Sequence, residues 1–512
     1  MGITSFYFLC FYAVLLLLYY ILPHKLQWGL LLIASVIFYI LSGNPVLIVY
    51  PVVSTAVTYI FVRLMYEKNG TPSSPKRRKT SLVFAILSNI GILFALKYVN
   101  FFINTINGIG MISDKFMPIG NVSFLIPLGI SYYSLSLISY AADVYFETAG
   151  IQKNPLKLAL YGMYFPAMVS GPIMRYRVDG EQFFEPHSFD YTKVTRGMQR
   201  MLWGIFQKLV ISERMGTIVD TIYGSCADYP GAYIWLGTVC FAFQLYTDFS
   251  GCMDIVLGMS ESFGLTLPEN FDRPFFSQTV AEYWRRWHIS LGVWMKEYVF
   301  YPILRSKFFM DQAKRFRARF GKKAGKQLNT FLAMFILWFT VGVWHGGDWK
   351  YVIGSGLLHW CYIVIGEIID PKFKSFWTAH HIDPENKLLV FLRIIRTFFL
   401  VNIGFVFFRG ASVKDAWNML LLGVSTWNPQ VLWSSKMFGL GLEMKEVVIA
   451  IISLIILLIV SIMRGKGSIR DRIAKKPLPV RWIIWYALLF YVILLGCYGP
   501  GYSAASFIYQ GF

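Results

Sequence analysis

Long runs of uncharged apolar residues most constrain how this chain can fold. The first run, residues 3–22, contains twenty residues without a charge, enough for a helix to cross the ~30 Å hydrocarbon core of a membrane. It lacks a basic leading segment and a small-residue cleavage site, so we interpret it as a retained span rather than a signal peptide. Because backbone polar groups need partners inside a bilayer, these runs predict helices.

Twelve further apolar runs follow, at residues 28–41, 45–66, 82–103, 124–142, 156–169, 198–219, 234–257, 331–343, 351–369, 388–408, 447–463 and 482–497. The composition agrees, since 56% of the 512 residues are hydrophobic and 15% are charged, whereas soluble domains carry roughly 25% charged residues. We therefore predict an all-α polytopic membrane protein, surrounded by lipid, with about eleven to thirteen spans and some re-entrant helices.

The positive charge is concentrated in three segments, which carry +18 of the formal net charge of +20: residues 76–79, 305–326 and 464–481. A nucleic-acid-binding protein would present such charge on a folded face together with exposed aromatic residues. Here each segment lies between apolar runs, as the positive-inside rule expects of cytoplasmic loops. We therefore expect no nucleic-acid partner, and we expect residues 503–512 on the outer face.

Motifs of common soluble chemistries are missing from the sequence. There is no GxxxxGK[ST], HExxH or GxSxG pattern, and none of the six cysteines forms a CxxC pair, so we expect no metal site and no disulfide framework. On composition alone, a transporter or flippase remains an alternative. The informative feature is the presence of polar residues within apolar stretches of the sequence.

His345 is the candidate general base. It ends an apolar run that begins at residue 335, and Gly346 and Gly347 follow it. Apolar surroundings favour the neutral imidazole, which is the form that a general base requires. We expect the glycines to let a substrate approach the ring. The alternative is a satisfied core histidine at a helix end. His359, ~21 Å away on one straight helix, is predicted to be structural.

Residues 282–291 (EYWRRWHISL) have helical spacing, which predicts a continuous helix through His288. Arg285 and His288 then share one face, while Trp284 lies on another. A guanidinium beside the ring favours neutral imidazole, so His288 is predicted to orient a hydroxyl or stabilise an oxyanion. The alternative is that these arginines and tryptophans anchor the chain at the membrane interface.

Five sequence segments occur in order along the chain: FP at 165–166 with SGPIMRY at 170–176, YTDFSG at 246–251, PENF at 268–271, EYWRRWHISL at 282–291 and WHG at 344–346. Together they resemble the membrane-bound O-acyltransferase (MBOAT) family, in particular the bacterial branch that O-acetylates alginate and other extracellular or cell-wall polysaccharides. Order and spacing agree over roughly residues 1–410. Each segment alone is a modest signal, whereas five in order are specific.

The resemblance implies a fold, an activity and a set of site residues. The family fold is a ring of tilted transmembrane and re-entrant helices around a central tunnel. His345 matches the family's catalytic histidine, and His288 matches its second functional histidine. The donor is a thioester on the inner side, acetyl-CoA or an acyl carrier protein, and no cofactor is expected to be bound. The residues expected to contact the substrate or line the tunnel are Trp344, Asp248, Trp284, Arg285 and Asn270.

The last six residues of the sequence, FIYQGF at 507–512, fit the pattern FxYxxF. This pattern resembles the C-terminus of the small membrane peptide that works beside the acyltransferase in teichoic-acid D-alanylation. The resemblance implies that Tyr509 is an acyl relay, with His345 as the base that activates its phenol. The alternative is an aromatic tail that anchors the chain at the membrane interface.

We expect residues 1–410 to form the membrane-embedded acyltransferase core. Residues 411–512 would form an extension with two further spans and an outward-facing tail. The expected function is acetyl transfer across a bacterial inner membrane for O-acetylation of an extracytoplasmic polysaccharide. Because the sequence has no serine motif, a separate SGNH-like (esterase-like) extracytoplasmic transferase would be the partner. D-alanyl transfer to teichoic acids is the alternative within the family.

Overall fold

A computed structural model of the chain describes residues 1–111 and 117–499, except for the side chains of residues 436 and 437. The described residues form helices joined by turns, and their two isolated β-bridges build no sheet. This confirms the predicted all-α class. Two compact units are present, and each combines separated stretches of the chain. The predicted division at residue 410 stays a prediction.

Unit 1 comprises the described residues of 1–208, 248–269 and 470–499. Its helices are α1 (Phe6–Ile21), α2 (His24–Ser42), α3 (Val49–Arg63), α4 (Pro75–Leu93), α5 (Val99–Gly110), α6 (Ile130–Tyr145), α7 (Pro155–Met163), α8 (Phe165–Ser170) and α9 (Tyr191–Phe206). The central element is α6, whose residues are buried on every face from Ile130 to Val144. It packs against α3, α4 and α7.

Unit 2 comprises residues 209–247 and 270–469. Its helices are α10 (Glu213–Gly224), the first part of α11 (Ala232–Ser262), α12 (Val280–Arg286), α13 (Ile289–Met295), α14 (Tyr301–Arg305), α15 (Lys307–Gly346), α16 (Trp349–Tyr351), α17 (Leu358–Ala379), α18 (Lys387–Arg409), α19 (Val413–Ser425) and α20 (Met444–Arg464). From residue 248 onward α11 belongs to unit 1, as does most of α21 (Ile469–Ala474) and all of α22 (Leu478–Leu495).

Small residues bring the central helices of unit 2 into close contact. A π-helical segment, Val352–Leu357, packs between α15 and α18. A Cβ placed on Gly354 would lie 2.2 Å from Phe407 of α18, and one on Gly356 would lie 2.6 Å from the Trp338 carbonyl oxygen of α15. Such close approach of backbones is typical of helix packing in membranes, where small residues form the interfaces.

Eight helical segments in the described residues are long and apolar enough to cross a membrane: His24–Ser42, Pro45–Arg63, Pro75–Gly110, Lys307–Gly346, Trp349–Ala379, Lys387–Arg409, Met444–Arg464 and Leu478–Leu495. Much of their apolar surface is exposed, as in Leu478–Leu495, where 6% of the apolar window is buried. Large exposed apolar surfaces are what lipid-facing helices require. These segments confirm the prediction of a polytopic membrane protein.

Eight such segments are fewer than the eleven to thirteen spans expected from the sequence. The predicted run 156–169 is divided between α7 and α8, because Pro166 in the first turn of α8 disfavours helical geometry in the residues before it. The run 198–219 contains a π-helical turn, Gln207–Ser212, between α9 and α10. The first run forms α1, which has 16 residues. A proline and a π-helical turn therefore interrupt two of the predicted spans.

Candidate functional site

His345 lies in the last turn of α15, at the end of its apolar half. The helix closes at Gly347, which has left-handed geometry (φ 59°) and donates its N–H to the Val343 carbonyl oxygen at 3.0 Å. The His345 side chain is buried, and its ring centroid lies 5.2 Å from that of Trp344 and 5.8 Å from that of Phe408. The WHG motif thus places an imidazole in an aromatic environment at a helix end.

The position of the Tyr351 ring explains why the residue after His345, Gly346, is a glycine. A Cβ on Gly346 would lie 2.3 Å from the Tyr351 ring, and that ring packs on Phe408 with centroids 5.0 Å apart. The sequence predicts that Gly346 lets a substrate approach the imidazole. The structure corrects this for Gly346, because the space beside its Cα is occupied by the Tyr351 ring.

The continuous helix predicted through His288 is wrong. Helix α12 ends at Arg286, and His288 adopts left-handed geometry (φ 47°, ψ 52°) before α13 begins. An isolated antiparallel bridge joins Trp287 to Phe271, and the Asp272 N–H donates to the Arg286 carbonyl oxygen at 3.0 Å. Backbone pairing with a distant segment therefore overrides the local helical periodicity.

Asn270 holds the turn that carries His288. Its carbonyl oxygen accepts the Ile289 N–H at 3.1 Å, and its side-chain oxygen accepts the Ser290 N–H at 2.9 Å. Asn270 is 1% exposed. The family resemblance predicts that this residue of the PENF motif contacts the substrate or lines the tunnel. The structure gives its side chain a positioning contact, because it binds backbone directly beside His288.

The two candidate histidines belong to one cluster in unit 2, which we call the histidine cluster: His288, Trp344 and His345. The ring centroid of Trp344 lies 5.6 Å from that of His288 and 5.2 Å from that of His345. Both histidines are buried, with 1% and 2% of their surface exposed. Neutral imidazole both accepts and donates a proton, so the cluster is chemically suited to general acid–base work.

The other two residues predicted on the EYWRRWHISL segment have different environments. Trp284 packs against Trp338 and His359, with ring centroids 5.0 Å and 4.9 Å away. Arg285 is exposed. Because the helix breaks before His288, the predicted shared face of Arg285 and His288 does not form. The structure therefore does not support the predicted effect of the Arg285 guanidinium on the His288 imidazole.

Asp248 lies in unit 1, where it forms an ion pair that is not predicted from the sequence. Lys208 Nζ lies 2.6 Å from Asp248 Oδ1, and both side chains are buried, 4% and 1% exposed. A buried charge is costly unless it is paired, which explains why an apolar stretch of the chain contains this lysine. The signal in the sequence was a single lysine within the run 198–219. The predicted role of Asp248 in binding substrate stays a prediction.

A second polar network in unit 1 joins the segments YTDFSG and PENF. Arg200 donates to Asp254 at 2.8 Å and to both carboxylate oxygens of Glu269 at 2.7 Å and 2.6 Å. Asp254 also accepts from the Gln207 side chain at 2.9 Å, and Gln207 accepts from the Ser250 hydroxyl. These contacts give motif residues of both segments a structural function.

Two predictions remain: the acyl relay at Tyr509 and the expectation of no metal site. Tyr509 and the FxYxxF pattern lie outside the described residues. Within residues 1–111 and 117–499, no three histidine, cysteine, aspartate or glutamate side chains are grouped to hold a metal ion.

Comparison with known proteins identifies the family. The family model of MBOAT, the membrane-bound O-acyltransferase family, matches residues 125–407, which is more than half of the chain. The chain belongs to this family. The matched region includes both histidines of the cluster and all five motif segments. The chain is therefore a multi-pass membrane O-acyltransferase, as the motifs had indicated.

Individual relatives are bacterial. The probable alginate O-acetylase of Azotobacter vinelandii is 29% identical over 403 residues, 78% of this chain and 73% of that protein. The peptidoglycan O-acetyltransferase of Helicobacter pylori is 27% identical and covers 76% of this chain and 72% of its own length. The teichoic acid D-alanyltransferase of Bacillus subtilis is 29% identical and covers 57% of this chain and 70% of its own. The predicted resemblance to the polysaccharide O-acetyltransferase branch is confirmed.

Proposed function

We propose that this enzyme transfers an acetyl group from a cytoplasmic thioester, across a bacterial inner membrane, for O-acetylation of an extracytoplasmic polysaccharide. His345 is the general base. The observation that carries the proposal is the buried histidine cluster, built from two motifs of a chain that belongs to an O-acyltransferase family. The names of the alginate and peptidoglycan relatives support a polysaccharide as the acceptor class.

The first transfer moves the acetyl group from the thioester to Tyr509. His345 removes the phenol proton, and the phenol oxygen bonds to the thioester carbonyl carbon. The C–S bond then breaks, and the departing thiolate of CoA or of an acyl carrier protein takes the proton from His345. A neutral His288 donates an N–H to the oxyanion. The products are a free thiol and an aryl acetate on Tyr509.

The second transfer moves the acetyl group from Tyr509 to a hydroxyl on the outer face. The hydroxyl oxygen bonds to the carbonyl carbon, the aryl ester bond breaks, and the phenol is regenerated with the hydroxyl proton. The hydroxyl belongs to a separate SGNH-like extracytoplasmic transferase, which passes the acetyl group to the polysaccharide. The likeness of the FxYxxF tail to the relay peptide of D-alanylation supports this step.

D-alanyl transfer to teichoic acids is the second candidate function. The observation in its favour is that a teichoic acid D-alanyltransferase is as identical to this chain, at 29%, as the probable alginate O-acetylase. Its match covers 57% of the chain, however, compared with 78% for the O-acetylase. The longer match favours acetyl transfer. Membership in an acyltransferase family disfavours the third alternative, a transporter or flippase.

The decisive experiment supplies purified protein with isotope-labelled acetyl-CoA and maps covalent label by mass spectrometry. We expect label on Tyr509 in the wild type, at least about 100-fold less label in His345→Ala, and none on that residue in Tyr509→Phe. D-alanyl carrier protein, tested in parallel, distinguishes the second candidate function.

Two matched variants control for damage to the fold. Tyr502→Phe removes another tail phenol, and His380→Ala removes an exposed imidazole from a different loop. Both should be labelled like the wild type. Full labelling of His345→Ala would remove His345 as the base, and full acetyl transfer by Tyr509→Phe would remove the relay. Label from D-alanyl carrier protein but not from acetyl-CoA would reassign the donor.

A further inference from the structure

Helix α20 (Met444–Arg464) lies beyond residues 125–407, which the family model matches. It is long and apolar enough to cross a membrane. Its buried residues recur every three or four positions, so one stripe of the helix packs inside unit 2. These residues are Val447, Ala450, Ser453 and Leu457. The polar contacts at the two ends of α20 connect this packed helix to residues inside the matched region.

The first turn of α20 is held by an ion pair with α10. Arg214 Nε lies 2.6 Å from Glu446 Oε2, and the Arg214 side chain is 4% exposed. Arg214 Nη1 also donates to the Val210 carbonyl oxygen at 3.0 Å. A buried charge that loses its partner destabilises a fold strongly. The ion pair therefore fixes where α20 begins relative to α10.

The last residue of α20 binds the PENF segment. Arg464 Nη2 donates to the Phe271 carbonyl oxygen at 3.2 Å, although the two residues are 193 positions apart. A charged donor makes this hydrogen bond stronger than a neutral one. A Cβ placed on Gly465 would lie 2.2 Å from Arg273 Nη1, so a second guanidinium lies against the C-terminal end of α20. The helix dipole favours positive charge at this end.

Phe271 lies in the segment that supports the turn at His288. Its two neighbours, Asn270 and Asp272, make the backbone hydrogen bonds to the chain on either side of His288. The Phe271 carbonyl oxygen instead accepts from Arg464. The PENF segment is therefore held on one side by the chain around His288 and on the other by α20. A shift of this segment would move the turn and the buried imidazole with it.

We propose that Arg464 is a positioning residue for acetyl transfer, which holds Phe271 and, through it, the turn that carries His288. The contact with Phe271 gives Arg464 an indirect effect on His288. The proposal deepens the proposed function and rests on it, because His288 there donates an N–H to the oxyanion. Displacing a reacting group by ~1 Å can cost ~100-fold in rate, so a remote hydrogen bond can control activity.

The kinetic test compares three variants of the full-length protein in the acetyl-transfer assay. Arg464→Ala should lower kcat at least about tenfold and change KM less than about twofold, because the lost interaction acts on the transition state. Arg464→Lys should keep at least about half of the wild-type kcat, since an ammonium also donates to a carbonyl oxygen. Lys466→Ala removes an exposed charge from the same basic segment and should match the wild type.

A double-mutant cycle tests whether Arg464 acts through the PENF segment. Asn270→Ala removes the acceptor of the Ser290 N–H, which is the inner support of the turn. If both residues position His288, the double variant Arg464→Ala/Asn270→Ala should lose at least about threefold less kcat than the product of the two single losses. Independent sites would instead give the full product, and this result would overturn the proposal.

Hydrogen exchange, measured by mass spectrometry, follows the turn directly. The Ile289 and Ser290 N–H groups donate to Asn270, so a loosened PENF segment exposes them to solvent more often. In Arg464→Ala these two amides should exchange at least about tenfold faster than in the wild type. Lys466→Ala should leave their exchange unchanged. Thermal unfolding in detergent reports the stability of each variant separately.

Three further results would overturn the proposal: a wild-type kcat in Arg464→Ala, a lower kcat without faster exchange at Ile289 and Ser290, or a lower melting temperature with both kinetic constants unchanged. The last result would mean that Arg464 only stabilises the fold. Exchange does not require acetyl transfer. Faster exchange in Arg464→Ala, with no acetyl transfer by the wild type, would support the contact while the proposed function fails. Unchanged exchange, with normal wild-type transfer, would do the reverse.

Discussion

The Ser290 backbone N–H donates to the Asn270 side-chain oxygen at 2.9 Å, and this bond fixes the turn at His288. The Asn270 backbone carbonyl binds the adjacent Ile289 N–H at 3.1 Å. His288 needs left-handed geometry here (φ 47°), which is uncommon for a residue with a side chain. The PENF segment therefore controls where the second imidazole lies.

Asn270→Ala should weaken both stability and catalysis. The buried Ser290 N–H would lose its acceptor, at a cost of about 1–3 kcal/mol in free energy of unfolding, and the turn at His288 would relax. We expect kcat for acetyl transfer to fall at least about tenfold with little change in KM, because a positioning residue acts on the reacting groups. Thermal unfolding in detergent and steady-state kinetics measure the two effects.

Asn270→Asp is the matched variant, because it keeps an acceptor oxygen at the same position. It should retain more activity than Asn270→Ala. A raised KM with unchanged kcat in the alanine variant would instead support the substrate contact that we first expected for this residue.

The sequence predicted the membrane class because long uncharged runs have few alternatives to transmembrane helices. It did not predict the break at His288, because residues 282–291 have good helical periodicity on their own. The break depends on Phe271, which pairs with Trp287 through the backbone. Such pairing is set by tertiary structure, which local periodicity does not encode.

Local sequence patterns also predicted only part of the candidate site. The imidazole at the end of an apolar run made His345 a candidate base, and the family resemblance of the WHG motif predicted its catalytic role and that of Trp344 in the tunnel. Phe408, which packs on His345, is 63 residues farther along the chain and carries no local signal. Lys208 is separated from Asp248 by 40 residues. Motifs predicted the candidate reactive groups, whereas the residues that surround them required the fold.

Asp248→Ala should be strongly destabilising. It would leave Lys208 as a buried charge without its 2.6 Å carboxylate partner, and breaking a buried pair typically costs about 3–5 kcal/mol. The double variant Lys208→Met/Asp248→Leu removes both charges and should recover much of the lost stability. A double-mutant cycle on thermal unfolding checks this. Equal stability of Asp248→Ala and the wild type would show that the pair has no structural role.

Gly346→Ala should lower activity through the aromatic rings around His345. Its Cβ would lie 2.3 Å from the Tyr351 ring, so the ring must move and disturb Phe408. We expect at least a tenfold loss of acetyl transfer. Adding Tyr351→Ala removes the clash, and the double variant should be more active than Gly346→Ala alone. If the second substitution gives no rescue, the steric explanation is wrong.

Arg200→Lys should be poorly tolerated although the charge is kept. The guanidinium binds both carboxylate oxygens of Glu269 and also reaches Asp254, whereas an ammonium is a compact point charge that does not reproduce this forked geometry. We expect a loss of about 1–3 kcal/mol in free energy of unfolding, measured by thermal unfolding in detergent. Lys193→Arg, an exposed change on the same helix α9, is the control and should be neutral. If Arg200→Lys melted at the wild-type temperature, the contact with both oxygens of Glu269 would not be needed for stability. The positive charge alone would then be enough to join the YTDFSG and PENF segments.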